Sequence, residues 1–112
     1  METKNALGAL AALAQESRLA VFRLLVQAGP AGLAASRIGE HLDIAPSSLS
    51  FHLKELTHAE LLIARQDGRF VIYSANFSTM NGLLSFLTEN CCGGNPCSPV
   101  DCGSACAPAA LS

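Results

Sequence analysis

Thiol chemistry is confined to one end of this chain. Its five cysteines all lie in the last 22 residues, at Cys91, Cys92, Cys97, Cys102 and Cys106. Since the preceding 90 residues contain none, thiols do not serve here as small apolar groups in a core, a common use of free cysteine. Thiolates bind soft metal ions and can be oxidised. The pattern predicts a flexible cysteine-rich tail, residues 90–112, that binds a soft ion or responds to redox state, attached to a domain of residues 1–89.

The rest of the composition suggests where this chemistry takes place. No apolar run approaches the about 18 residues needed to span a bilayer, and the first residues do not have the pattern of a signal peptide. We therefore expect a cytoplasmic protein without a membrane partner. In the cytoplasm thiols stay reduced, which favours metal binding or redox sensing over structural disulfides. An odd number of cysteines also fits poorly with a fully paired disulfide framework.

Apolar periodicity and turn residues predict the elements that must position the tail. Helices are predicted at residues 3–14, 17–29, 35–42 and 46–60, the second capped by Ser17 and the fourth begun by Pro46. Two short β-prone runs, residues 62–65 and 70–73, flank an Asp-Gly pair, which is a strong hairpin signal. A fifth helix is predicted at residues 78–89. The chain is therefore predicted to be mainly α-helical with one small β-hairpin, which is a winged helix-turn-helix.

In such a fold the second helix of the helix-turn-helix, here the fourth predicted helix, is the one that enters the major groove of DNA. Its leucines, Leu49, Leu53 and Leu56, are expected to face the core. The residues predicted to contact phosphates or base edges are Ser47, Ser48, Ser50, Phe51, His52 and Lys54 on this helix, with Arg65 and Arg69 beside the hairpin tip. The alternative is that the serines only cap the helix, that His52 is a surface residue and that the arginines are solvated.

The charge of the predicted DNA-binding segment is not that of an indiscriminate nucleic-acid binder. Residues 33–74 contain four Lys and Arg against five Asp and Glu, and the whole chain has a formal net charge of −2. A basic stripe is the usual footprint of strong, sequence-independent binding. Any DNA binding by this chain must therefore depend on local geometry.

Three stretches resemble the ArsR/SmtB family of bacterial metal-responsive repressors. They are residues 12–25 (ALAQESRLAVFRLL), residues 47–56 (SSLSFHLKEL) and residues 59–73. The resemblance implies a homodimer that packs through its first and last helices and binds a palindromic operator in double-stranded DNA. The Leu- and Ala-rich terminal helices also favour burial against a partner, although they could instead complete a monomer core. Two positions depart from the family pattern: Glu60, where glycine is usual, and Pro46, where a polar residue often contacts DNA.

The sites where members of this family sense metal are mostly missing from this sequence. Many members carry Cys-x-Cys on the helix before the recognition helix, but residues 35–41 contain no cysteine. Others use carboxylates and histidines on the last helix, where this chain offers only Glu89. His41 and His58 are isolated and are interpreted as surface or packing residues. The tail therefore remains as the predicted sensor.

Within the tail, Cys91, Cys92 and Cys97 are suited to trivalent arsenic or antimony. As(III) binds three thiolates in a pyramid, and the Gly-Gly-Asn-Pro stretch would let the third sulfur reach the adjacent pair. Such a site also resembles that of some arsenic-responsive members of the family. Zinc, with a fourth ligand from Cys102 or Cys106, and Cu(I) remain alternatives, as does a redox role. Cys102 and Cys106 have no assigned role.

The sequence leads to one functional hypothesis with two alternatives. The hypothesis is a homodimeric repressor that binds operator DNA and is released when As(III), or Sb(III), binds the tail. The first alternative is a zinc-, copper- or redox-responsive repressor of the same fold. The second is a thiol-rich metal-buffering protein whose helical body only dimerises. No nucleophile–base pair, phosphate-binding loop or paired acidic cluster indicates an enzyme.

Overall fold

The computed structural model describes residues 1–90. Their elements are α1 (Thr3–Leu13), α2 (Glu16–Ala28), β1 (Leu33–Ala34), α3 (Ala35–Leu42), α4 (Pro46–His58), β2 (Leu62–Asp67), β3 (Phe70–Ala75) and α5 (Phe77–Leu87). The predicted winged helix-turn-helix is confirmed: α3 and α4 are the helix-turn-helix, and β2 and β3 form the wing. All five cysteines, including the predicted ligands Cys91, Cys92 and Cys97, lie outside the described residues. The predicted domain boundary at residues 89–90 stays a prediction.

The wing belongs to a three-stranded antiparallel sheet in the order β1-β3-β2. Strand β2 continues two residues past the predicted run, to Asp67, so the turn consists of Gly68 and Arg69 alone. Strand β3 begins at Phe70, as predicted, and is two residues longer at its other end. Gly68 has a φ of +62°, and a glycine at the first position of a two-residue turn matches the twist of hairpin strands. The longer β2 carries Arg65 onto the body of the wing and leaves Arg69 at its tip.

Strand β1 was not predicted from the sequence. It has only two residues, and it pairs with β3 through Leu33 opposite Tyr73 and Ala34 opposite Ile72. Gly32 makes this approach possible, because its φ is +69° and a Cβ there would collide with the carbonyl oxygen of Tyr73. The short strand attaches the wing to the start of α3, so the wing is held against the helix-turn-helix.

Two helices begin differently from the prediction. The predicted Ser17 cap of α2 is wrong, because Gln15 has extended backbone angles and its Oε1 accepts a hydrogen bond from the Arg18 N–H at 2.9 Å. Helix α5 begins at Phe77, after Asn76 caps it by accepting from the Thr79 N–H at 3.3 Å, and it ends at Leu87. In both cases the cap is the residue whose extended backbone lets its side chain reach an unpaired amide.

The core draws on every helix and on the sheet. Helix α4 buries Leu49, Leu53 and Leu56, as predicted. The other buried apolar residues are Ala6, Ala9, Ala12, Val21, Phe22, Leu25, Ile38, Leu61, Leu62, Ala75 and Leu83. None of the helices within residues 1–90 is long and apolar enough to span a membrane.

Helix α1 packs its small side chains, and not its large ones, against the core. It buries its alanines, Ala6, Ala9 and Ala12, against the rest of the chain. Two of its leucines lie on the outside, Leu7 at 61% and Leu10 at 39% exposure. Small side chains let the helix approach the core closely, while the larger apolar side chains remain uncovered. Leu87 at the end of α5 is also largely uncovered, with 55% exposure. The single chain therefore leaves apolar surface on both terminal helices.

Candidate nucleic-acid interface

Helix α4 separates a buried leucine stripe from an exposed polar face. The serines predicted to contact DNA, Ser47, Ser48 and Ser50, are exposed, as is Lys54, while His52 is half-buried. Phe51 is an aromatic residue on the same face and is 52% exposed. Because Leu49, Leu53 and Leu56 occupy the core, the orientation of α4 is set by packing. Its other face is free for contact with a large partner.

The first turn of α4 is suited to an anion. Pro46 opens the helix, as predicted, and it has no N–H that would need a partner. Ala45 provides no side-chain cap, so the amides at this end are not satisfied by a capping side chain. Such amides, at the positive end of the helix dipole, are a common binding site for phosphate groups. Exposed hydroxyls of Ser47 and Ser48 stand at the same end.

The turn between α3 and α4 is short and well defined. Asp43 ends α3 in the left-handed conformation, with a φ of +54°, and its N–H bonds to the carbonyl of Gly39. The Ile44 N–H bonds to the same carbonyl at 3.2 Å. Ile38 is fully buried and helps to pack α3 against the core. These contacts set the angle at which α4 leaves the turn.

The two arginines predicted near the hairpin tip differ in position and in contacts. The guanidinium of Arg65 donates to the carbonyl of Ala31 at 2.8 Å and to that of Pro30 at 3.4 Å, so it joins the wing to the loop between α2 and β1. Arg69 lies in the two-residue turn and is exposed. Phe70, the next residue, is the most exposed aromatic residue of the wing. The tip of the wing thus presents one cation beside one aromatic ring.

Sequence reasoning did not identify Arg18 as a functional residue, but the structure places it against α4. Its Nε donates to Nδ1 of His52 at 3.4 Å, and its guanidinium carbon lies 5.4 Å from the ring centroid of Phe51. The rings of Phe51 and His52 are 6.0 Å apart and tilted by 60°. Arg18 and His52 are separated by 34 residues, and no local pattern links them.

The described part of the chain offers little to a metal ion. Within residues 1–90, no group of three or more His, Cys, Asp or Glu side chains is placed to hold one. His58 lines a cavity between α1, α2 and α4 together with Glu55 and Arg18. His41 is exposed on α3. A thiol site of the kind predicted from the sequence would have to be built from residues beyond this part.

Comparison with known proteins identifies the family. A family described as a helix-turn-helix domain matches residues 13–64. The chain is 36% identical, over 81 residues, to the arsenical resistance operon repressor of Bacillus subtilis (strain 168), an alignment that covers 72% of this chain and 73% of that protein. The chain belongs to the ArsR family. Because ArsR-family proteins are DNA-binding transcriptional regulators, the prediction that the chain is not an enzyme is confirmed.

Solved structures of other proteins share the fold. An ArsR-like transcriptional regulator from Rhodococcus sp. RHA1 superposes with a TM-score of 0.67 at 25% identity, covering 75% of this chain and 76% of that one. The homodimeric winged helix-turn-helix DNA-binding domain of a Mycobacterium bovis protein superposes with a TM-score of 0.61 at 21% identity, covering 78% and 81% of the two chains. The second likeness concerns the fold alone.

Proposed function

We propose that this ArsR-family regulator is a homodimeric repressor that binds operator DNA and is released by trivalent arsenic or antimony. The observation that carries the DNA-binding part is α4, which hides its leucine stripe in the core and exposes hydroxyls, a lysine and uncapped amides. The arsenic part is supported by the likeness to an arsenical resistance operon repressor and by the cysteine-rich tail. The regulated genes would then be those of arsenic resistance.

In this proposal the polar face of α4 contacts the major groove. Ser47, Ser48, Ser50 and Lys54 supply hydroxyl and ammonium donors, and the first turn of α4 supplies backbone amides for a phosphate. Arg69 at the tip of the wing reaches the neighbouring phosphates or the minor groove. Since the chain carries a net charge of −2, affinity depends on these few placed donors and not on a general attraction to polyanions.

The proposed dimer covers the apolar surface of the terminal helices. Leu7, Leu10 and Leu87 are exposed on α1 and α5, and the two helices are in contact with each other. A second copy with the same uncovered leucines would bury them in a self-complementary interface. Two α4 helices would then be related by a two-fold axis, which matches the symmetry of a palindromic operator.

The proposed sensor consists of Cys91, Cys92 and Cys97, which begin one residue after Asn90. Trivalent arsenic would be held by the three thiolates and would draw the start of the tail together beside α5. Because α5 is part of the proposed dimer interface, a change there alters how the two α4 helices are set. Coupling of this kind is typically about 1–3 kcal/mol and is reciprocal, so bound DNA weakens arsenic binding by the same factor.

The test is titration of the full-length chain with arsenite on DNA from upstream of its own gene. Arsenite is expected to raise the dissociation constant for that DNA by roughly 5- to 150-fold, the range that such a coupling energy gives. Cys91→Ser, Cys92→Ser and Cys97→Ser should each keep the DNA affinity and lose the release. The matched controls, Cys102→Ser and Cys106→Ser, should respond as the wild type does.

Three outcomes would contradict parts of this proposal. If all three serine variants were released normally, the sensor would not be these cysteines. If zinc, Cu(I) or an oxidant released the protein and arsenite did not, the inducer would be wrong. X-ray absorption distinguishes these cases, since three sulfur neighbours are expected around arsenic and four ligands around zinc. If the DNA showed no specific retardation, a metal-buffering protein would be favoured instead.

A further inference from the structure

We propose that Arg18 is a positioning residue for DNA recognition, because it holds the imidazole of His52 in one neutral tautomer. The inference rests on the proposed function, in which α4 contacts operator DNA. The proposal assigns a role to a residue of α2, outside the recognition helix. As a consequence, Nε2 of His52 is a hydrogen-bond donor, and not an acceptor, toward the groups that α4 contacts.

The tautomer follows from the hydrogen-bonding chemistry of the two side chains. A guanidinium carries only donors and stays protonated in proteins. Because Nε of Arg18 lies 3.4 Å from Nδ1 of His52 in donor geometry, Nδ1 must supply the lone pair. A neutral imidazole has one N–H, so the proton is on Nε2. The two nitrogens flank Cε1 and their outward directions diverge widely, so Nε2–H is directed away from Arg18.

A single bond of this length is weak, but a second contact of the side chain and a hydrogen bond of the backbone also position Arg18. Its guanidinium stands over the ring of Phe51 at 5.4 Å from the centroid, within the range of a cation–π interaction. Its own backbone N–H donates to the side chain of Gln15 in the cap of α2. Arg18 is only partly exposed. The start of α2 thus fixes Arg18, and Arg18 in turn contacts two adjacent rings of α4.

This arrangement restricts what α4 can recognise. A histidine that is free to change tautomer can donate or accept, whereas a fixed Nε2–H only donates. Acceptors available to α4 are phosphate oxygens and, in the major groove, the N7 atoms of guanine and adenine, the O6 atom of guanine and the O4 atom of thymine. Arg18 also steadies Phe51, whose exposed ring is suited to an apolar contact with a thymine methyl group. Arg18 therefore acts on specificity through these two rings.

The first experiment measures the tautomer without DNA. Two-dimensional 15N NMR of the full-length chain, at a pH where the ring is neutral, should show His52 as the Nε2–H tautomer, with the resonances assigned by their absence in His52→Asn. Arg18→Met, which keeps an unbranched side chain and removes the donors, should give a mixture of tautomers. Arg18→Lys restores a donor and should recover part of the bias. Arg23→Gln, on the exposed side of the same helix, is the matched control and should change nothing.

The second experiment connects the tautomer with DNA. Arg18→Met is expected to weaken operator binding by roughly three- to tenfold, the loss of about one hydrogen bond, and to reduce discrimination among operator variants. In the His52→Asn background the same substitution should reduce discrimination less than it does in the wild type, because only the effect through Phe51 remains and residues that act as a unit are not additive.

Both experiments can overturn the proposal. The proposal is overturned if wild-type His52 is the Nδ1–H tautomer or if Arg18→Met leaves its tautomer unchanged. It is also overturned if Arg18→Met reduces discrimination equally with and without His52. Because the NMR measurement uses no DNA, a failure of the proposed function appears separately, as an absence of specific binding by the wild type. Unchanged backbone spectra of the variants show that the fold is intact.

Discussion

Glu60 shows what a departure from the family pattern costs at a single residue. After α4, the Leu61 N–H bonds to the carbonyl of Leu56 at 3.0 Å and the Glu60 N–H bonds to that of Thr57 at 3.0 Å. This pair of bonds is the Schellman motif, which requires the left-handed conformation at the residue occupied by Glu60. Its φ is indeed +64°. Glycine, the usual residue of the family here, adopts this conformation without steric strain.

Glu60→Gly is therefore expected to stabilise the fold. The left-handed conformation costs a side-chain-bearing residue about 1–2 kcal/mol, and the greater freedom of glycine in the unfolded chain offsets part of that gain. We expect the free energy of unfolding to rise by about 0.5–1 kcal/mol, measured by urea denaturation. Asp43→Gly, at a φ of +54°, should gain less, since aspartate tolerates this conformation better. A loss of stability in Glu60→Gly would contradict the assignment of strain.

At the scale of elements, the wing contains two arginines that the sequence could not distinguish. Both flank the predicted hairpin turn, and both were predicted to contact DNA. The structure places Arg65 on β2 with its guanidinium against the carbonyls of Pro30 and Ala31. Arg69 occupies the turn itself. The difference arises because β2 continues to Asp67, which places Arg65 within the strand and away from the tip.

The two arginines should contribute differently to the salt dependence of DNA binding. Arg69→Gln is expected to weaken operator binding and to reduce the slope of log affinity against log salt by about 1, as loss of one phosphate contact does. Arg65→Gln should change the slope less, because its charge is held against the loop between α2 and β1. Binding measured by fluorescence anisotropy at several salt concentrations tests this. Equal losses of slope would show that Arg65 leaves the loop when DNA binds.

At the scale of the whole molecule, the uncovered leucines of α1 and α5 favour assembly. A chain of 112 residues has a modest core, and its first helix contributes only alanines to the buried set. Covering Leu7, Leu10 and Leu87 with a second copy removes apolar area from water, at about 25 cal/mol per Å². In the proposed repressor the same contact sets the spacing of the two α4 helices, so stability and DNA recognition depend on one surface.

Leu7→Glu is expected to separate the proposed dimer. A carboxylate buried without a partner is strongly unfavourable in an apolar interface, so sedimentation should show monomers at micromolar concentrations. Operator affinity should fall by roughly 100-fold or more, since each monomer would then bind alone. Ile63→Glu places the same charge at an exposed apolar position of β2 and should leave the sedimentation unchanged. A Leu7→Glu protein that sediments as a dimer would place the interface elsewhere.

The sequence by itself determined the order of five helices and a hairpin, the buried leucine stripe of α4, and the confinement of the cysteines to the residues after 90. These features come from periodicity, turn residues and composition, all of which act over a few neighbouring positions. It also identified the ArsR-type motifs, because they lie in continuous stretches. The pattern predicted As(III) binding by the tail cysteines but did not single it out, because thiolates also bind zinc and Cu(I).

Only the tertiary structure decided which contacts join distant parts of the chain. Strand β1 was found only in the structure, because two residues are too few to show a periodic pattern. The structure also shows that α1 buries its alanines. The sequence of α1 has alanines on one face and leucines on another, and this pattern does not indicate which face meets the core. The tertiary structure brought Arg18 against Phe51 and His52, and it placed Arg65 on the loop after α2. Each of these depends on how separate elements pack, and that packing is set by shape and by hydrogen-bond geometry across the fold.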